Sequence, residues 1–278
     1  MEFNLLLWHN LMVVLTVTFV CYLASYRQTI LFLIIIAFTL FVGIQFFLQS
    51  KGVPIAVIGF SKLLLLLPFG LGALMGFVIM PKITQKRIEH WFTHYINIAV
   101  LINIFVMLFT PDGGTYRGIV SRILCIILLI WLVQEMAKVQ FQTTEFDRNF
   151  FIFNSSPLPW IVCHAVYRMA LLSLPTFASS HFLLLEPLTL FVMGILYHLH
   201  KKRQKLSFYF GFADTIVVTT LAVVHWFPIP SPFATNGSYK SILQETQWDL
   251  IFIPIQLIVF GYGLWAIGKN VFQPKHLG

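Results

Sequence analysis

Charge is scarce in this chain. Only 10% of its 278 residues are Asp, Glu, Lys or Arg, against roughly 25% in ordinary soluble domains. With 58% hydrophobic residues and a mean hydropathy of +0.84, a chain this long cannot assemble a water-facing surface, so a soluble globular enzyme is excluded. Cysteine is scarcer still. Cys21, Cys125 and Cys163 all fall in apolar stretches without CxxC spacing, which supports neither a disulfide framework nor a redox pair. A secretory leader needs a basic start, but the first positive side chain is Arg27, so residues 4–25 are expected to be a retained first span. No internal repeat is visible, which argues against a transporter built from two inverted halves.

What is present is a series of apolar runs, each near the ~20 residues that one helical crossing of a 30 Å hydrocarbon layer requires. The runs predict an all-α, polytopic membrane bundle of nine transmembrane helices over about 4–25, 28–49, 54–80, 91–110, 119–138, 157–176, 180–200, 207–226 and 250–268. No polar stretch could form a soluble domain, so residues 1–278 are expected to make one transmembrane domain. The longest connection, 227–249, opens with Pro228, Pro230 and Pro232, which prevent a regular helix there.

Orientation follows from the basic residues, because cytoplasmic loops carry the excess of Lys and Arg. With nine crossings, Arg27, Lys82, Lys86, Arg87, Lys138, Arg148, Lys201, Lys202, Arg203, Lys205, Lys269 and Lys275 share one face; Lys51, Arg117 and Lys240 lie on the other. The N-terminus is therefore expected outside and the C-terminus inside, in a membrane of the bacterial plasma type. The net charge of +8 is mostly this bias and gives no reason to expect nucleic acid as a partner.

A Lys, Arg or Asp at the centre of a span costs about 2.5–3.5 kcal/mol on insertion scales, so such residues face cavities or partners. The stretch WIVCHAVYRMALL, residues 160–172, places His164 and Arg168 one turn apart, with Trp160 and Tyr167 beside them on one helix face. Arg168 is eight residues from the expected end of its span, about 12 Å deep at 1.5 Å per residue. Lys62, Arg122 and Glu186 belong to the same half of the bundle, Asp214 lies toward the inside of its span and His225 at the outer rim. Three cations against one anion suit a phosphate or carboxylate. On this reading His164, Arg168, Glu186 and Asp214 are the catalytic set, with His164 moving the proton, and Lys62, Arg122, Tyr167 and His225 bind substrate. The bland alternative is an interhelical ion pair that only locks helices together.

A second group of candidates lies at the inner ends. EHWFTH gives His90 and His94 at i and i+4, and YHLH adds His198 and His200. Four imidazoles at one depth resemble the histidine clusters of membrane di-iron hydroxylases, or paired axial haem ligands. Iron or haem is thus the cofactor to look for, although the HxxHH boxes of those oxygenases are absent.

Residues 117–176, with RNFFIFN between two spans, resemble the transmembrane domain shared with vitamin-K-dependent carboxylases over about a fifth of the chain; no site residue is carried over from it. The paired Asp-rich motifs of membrane prenyltransferases, the Gly-x-Ser-Gly of rhomboid proteases and the last-span lysine of retinal proteins are all missing. Three roles stay open: an enzyme acting on a lipid, isoprenoid or lipid-linked anionic substrate; a transporter or channel for a small anion or proton-coupled solute; and an auxiliary subunit partnered by other membrane proteins.

Overall fold

The computed structural model describes residues 2–49, 67, 70–71, 74, 82–138, 144–147, 150–153, 156–175, 185–199, 210–213, 215–217, 219–220 and 243–272. Among them are seven long helices: α1 (Glu2–Tyr26), α2 (Gln28–Gln49), α3 (Lys82–Met107), α4 (Tyr116–Met136), α5 (Leu158–Leu172), α6 (Leu185–Leu199) and α7 (Glu245–Phe272). The protein is mostly helical, and three of these helices are long and apolar enough to cross a membrane: Lys86–Met107 within α3, α4, and α7. Lys62, His200, Asp214 and His225 lie outside the described residues.

The purely helical expectation needs one amendment. Strands β1 (Thr144–Asp147) and β2 (Phe150–Phe153) form an antiparallel hairpin, and its register sets Asp147 opposite Phe150. Two residues remain between the strands, the commonest hairpin spacing, and the phenylalanines of FFIF favour a pleated, half-buried strand.

The contacts divide the chain into two compact units: Met1–Ile96 with Thr143–Ser155 and Leu184–Gly237, and Asn97–Gln142 with Ser156–Leu183 and Ser238–Gly278. In the first, α1 buries Val13, Val17, Val20, Cys21 and Ala24, a stripe at helical spacing. Buried Gln28, just past the single residue separating α1 from α2, treats the hairpin as a neighbouring strand would. Its Oε1 accepts from the Phe151 amide at 2.8 Å, and its Nε2 donates to the Phe151 carbonyl at 3.2 Å. The Phe151 ring packs edge-on against Phe32 and Phe92. Both backbone groups of a buried strand residue are thereby satisfied, as burial requires.

The second unit holds α4, α5 and α7. Helix α4 is started by a tight turn. Gly113 and Gly114 take positive φ of 64° and 69°, Asp112 accepts from the Gly114 amide, and Thr115 caps the helix by accepting from the Gly118 amide at 3.2 Å. A Cβ at Gly118 would stand 2.2 Å from the Asp112 carbonyl oxygen, so only glycine lets this turn close.

Helices α4 and α7 run parallel. Arg117 meets Asp249, Gln256 reaches Ser121 at 2.6 Å, Gly263 abuts Ile127, and Asn270 bonds Glu135. Helix α5 runs the other way, with the Trp160 indole donating to the Leu128 carbonyl at 3.0 Å and Ser173 beside Arg117. Away from these contacts α4 exposes Ile119, Ile123, Ile126, Ile130 and Val133, and α7 exposes Leu250, Leu257, Ile258, Leu264 and Trp265.

Several helix ends depart from the expected spans, and two of them bear on the site. Helix α7 starts at Glu245 rather than near 250, because acidic side chains favour a helix N-terminus and Arg117 neutralises both carboxylates there. Helix α5 ends at Leu172 rather than near 176, capped at Ser173.

Candidate functional site

The candidate face lies on α5, which Pro157 and Pro159 bracket at its start; proline is tolerated there because first-turn amides have no intrahelical partner. From that start the helix turns Trp160, His164, Tyr167 and Arg168 inward, with exposures of 2%, 3%, 1% and 4%. The Trp160 and His164 rings stack at 5.0 Å, 12° from parallel, and Tyr167 tilts against His164 at 6.2 Å. Val162, in contrast, is exposed. The imidazole and guanidinium therefore sit on the packed side of a helix whose other side is apolar and open. Cys125 closes the face from α4; its thiol hydrogen-bonds Tyr167 and donates to the Ile104 carbonyl at 3.5 Å.

The earlier end of α5 changes the position of Arg168. Four residues, about 6 Å of rise, separate it from the helix end rather than the 12 Å expected. Its near-complete burial, not its depth, is what sets it apart.

Arg122, expected to join this group, does not point into it. Its half-exposed guanidinium pairs with Asp112 at 3.2 Å and donates to the Thr110 carbonyl, tying the preceding turn to α4. Glu186 is buried near the start of α6 and belongs to the first unit.

Of the histidines expected at the inner ends, His90 and His94 are exposed neighbours on α3 with Nε2 atoms 3.2 Å apart, and His198 is exposed on α6. Among the described residues no three His, Cys, Asp or Glu side chains gather in a way that could hold a metal ion.

Among the described residues, the largest polar construction is one the sequence did not signal as a site. Arg117, read as a loop charge, is fully buried where the starts of α4 and α7 meet the end of α5. Its Nε donates to Ser173 Oγ at 3.0 Å. One terminal nitrogen donates to Asp249 at 2.7 Å and to the Glu245 carbonyl at 3.3 Å. The other donates to the Ser173 carbonyl at 2.8 Å and forms an ion pair with the Glu245 carboxylate. These use all five guanidinium donors. A cation at the N-terminus of its own helix is unfavourable, but the same charge caps the C-terminus of α5 and faces two acids at the N-terminus of α7, both favourable. Glu245 and Asp249, at i and i+4 where an apolar run begins, were the available signal. With every donor committed, Arg117 has none left for a ligand.

At the opposite end, buried Glu135 accepts from the Trp131 indole at 3.1 Å, from Lys138 at 2.6 Å and from Asn270 at 3.0 Å. The second unit is thus clamped by polar clusters at both ends, with the α5 face between them.

No family model, curated protein or solved structure matches this chain.

Proposed function

We propose that the chain is a polytopic integral membrane protein, with nine crossings and its N-terminus outside, that acts as an enzyme on a lipid, isoprenoid or lipid-linked anionic substrate. Support for insertion comes from the second unit. Its two polar clusters are separated on α4 by the 18 residues from Arg117 to Glu135, about 27 Å of helix, close to the ~30 Å hydrocarbon layer. Between them, apart from Arg122, the exposed side chains of α4 and α7 are predominantly apolar, Ile119, Ile123, Ile126, Ile130 and Val133 on one and Leu250, Leu257, Ile258, Leu264 and Trp265 on the other, a surface that water does not tolerate at such extent. Parallel α4 and α7 need an odd number of crossings between them. Antiparallel α5 supplies one, in keeping with the alternation of a nine-span chain. The basic clusters then fall inside, as in a plasma membrane.

One observation carries the catalytic reading: the buried Trp160–His164–Tyr167–Arg168 face of α5. Burying an imidazole and a guanidinium in an apolar bundle costs several kcal/mol, and such groups are candidates for a substrate or proton path. In this site Arg168 holds the phosphate or carboxylate of the substrate through its forked donors. His164, aligned between two aromatic rings, donates or accepts the proton. Trp160 and Tyr167 provide the apolar walls against which an acyl or prenyl chain lies.

Lipid mass spectra of cells with and without the protein test this reading. It requires one defined lipid class to change by a single modification. Unchanged lipids, together with liposomes in which the purified protein moves a labelled anion or protons, would replace the enzyme by a transporter.

A further inference from the structure

His90 and His94 serve neither the α5 site nor the packing of α3. Both side chains are exposed, one turn apart, with ring centroids 4.5 Å apart and planes at 88°. Their Nε2 atoms approach to 3.2 Å. Two nitrogens at that separation, each 2.0–2.1 Å from a shared ion, subtend about 100° at it, between the right angle of square-planar or octahedral geometry and the tetrahedral angle. The helix has therefore already brought both ligand atoms to chelating distance, and rotation of the rings is what remains to aim both lone pairs at one point.

From this we infer that His90 and His94 form a bidentate surface site for a borderline divalent cation, of the Zn²⁺, Ni²⁺ or Cu²⁺ class. The remaining positions are filled by water or by a ligand from outside the chain. Imidazole suits these ions, whereas Mg²⁺ and Ca²⁺ require oxygen ligands. Exposed Lys86 and Arg87 on the preceding turn repel any cation, and the hard ions, bound by charge alone, suffer most. Loading displaces the hydrogen bond between the rings. The Nε2 proton that maintains it moves through solvent to Nδ1, so both Nε2 lone pairs become available without a net change of charge on the histidines. The site has two protein ligands, fewer than a structural or catalytic zinc centre. It is suited to reversible occupancy at the polar start of a long apolar helix rather than to iron or haem.

The experiment is equilibrium dialysis of the untagged full-length protein in detergent micelles against Zn²⁺, Ni²⁺ or Cu²⁺, with Mg²⁺ and Ca²⁺ as controls. One equivalent of each borderline ion should be bound at this site, and no Mg²⁺ or Ca²⁺. His90→Ala and His94→Ala should each weaken that equivalent at least about tenfold, because one imidazole loses the effective concentration provided by the other. Adding Arg87→His to His94→Ala places histidines at 87 and 90, again neighbours on the helix, and should restore it. The Cu²⁺ electron paramagnetic spectrum should show two coordinating nitrogens in the wild type and in the rescued variant, and one in each single variant. Binding that both alanine variants leave unchanged, no bound equivalent in the wild type, or failure of Arg87→His to restore it would each overturn the proposal.

Discussion

Arg117→Leu removes the cation on which three helix ends converge. The guanidinium is fully buried; of its two partners, Asp249 retains 16% exposure and Glu245 48%. Removing one member of a buried pair costs about 3–5 kcal/mol, chiefly because a charge is left uncompensated. Glu245 can turn to solvent, which screens its share, so the lower figure of about 3 kcal/mol applies, most of it from Asp249 and from the uncapped Ser173 carbonyl. For a chain of this size each kcal/mol moves the midpoint by about 2–4 °C, so Arg117→Leu should melt about 6–12 °C below the wild type in detergent. Arg117→Lys keeps the charge but has three donors for five acceptors, and should fall between the two. Replacing the whole cluster, Arg117→Met with Glu245→Gln and Asp249→Asn, should recover most of the loss, since buried ion pairs contribute little over well-packed neutral groups. Tryptophan fluorescence during thermal unfolding reads all four proteins. An Arg117→Leu variant as stable as the wild type, or a triple variant worse than the single one, would refute the idea that buried Arg117 holds these helix ends together by neutralising Glu245 and Asp249.

Close contacts elsewhere give sharper tests. Gly118→Ala drives a Cβ into the Asp112 carbonyl, a backbone atom that cannot turn aside, so the variant should fail to yield folded protein in a detergent extraction assay. Gly263→Ala sets a methyl 2.8 Å from Ile127 Cγ2; such overpacking costs about 1–3 kcal/mol, and Ile127→Ala in the same chain should return part of it in thermal melts. Gln28→Ala strands the amide and carbonyl of Phe151, with a cost of about 1–3 kcal/mol for each buried group left unpaired. Proteolysis should then cut first around residues 144–153, and cutting at the wild-type rate would contradict the docking role of Gln28.

Local pattern and long-range packing were not equally legible in the sequence. Apolar runs located all seven described helices, because burial in lipid or protein writes itself directly into composition. Their ends were less visible. The first two turns, 82–89, carry α3 ahead of its apolar run, since helical hydrogen bonding does not depend on the side chains being apolar. Glu245 and Asp249 looked like loop residues until Arg117, more than a hundred positions away, supplied their counter-charge. Arg117 itself was counted as an outer charge because only the packing of three helices buries it. The hairpin was missed although Phe150–Phe153 carries its aromatic signal, since four-residue strands are weak beside twenty-residue runs. Of the candidate site, the face joining Trp160, His164, Tyr167 and Arg168 was readable from helical spacing alone. Arg122 was not, because its direction depends on a turn that ends with Asp112 accepting from Gly114.

The most direct measurement compares wild-type, His164→Ala and Arg168→Leu proteins in two readouts at once, thermal stability in detergent and the lipid profile of expressing cells. The α5 site predicts that both variants are inserted and melt cooperatively while the lipid change produced by the wild type disappears. Variants that keep the full lipid change, or an Arg168→Leu protein that is active and more stable than the wild type, would contradict it and reduce the buried guanidinium to a helix lock.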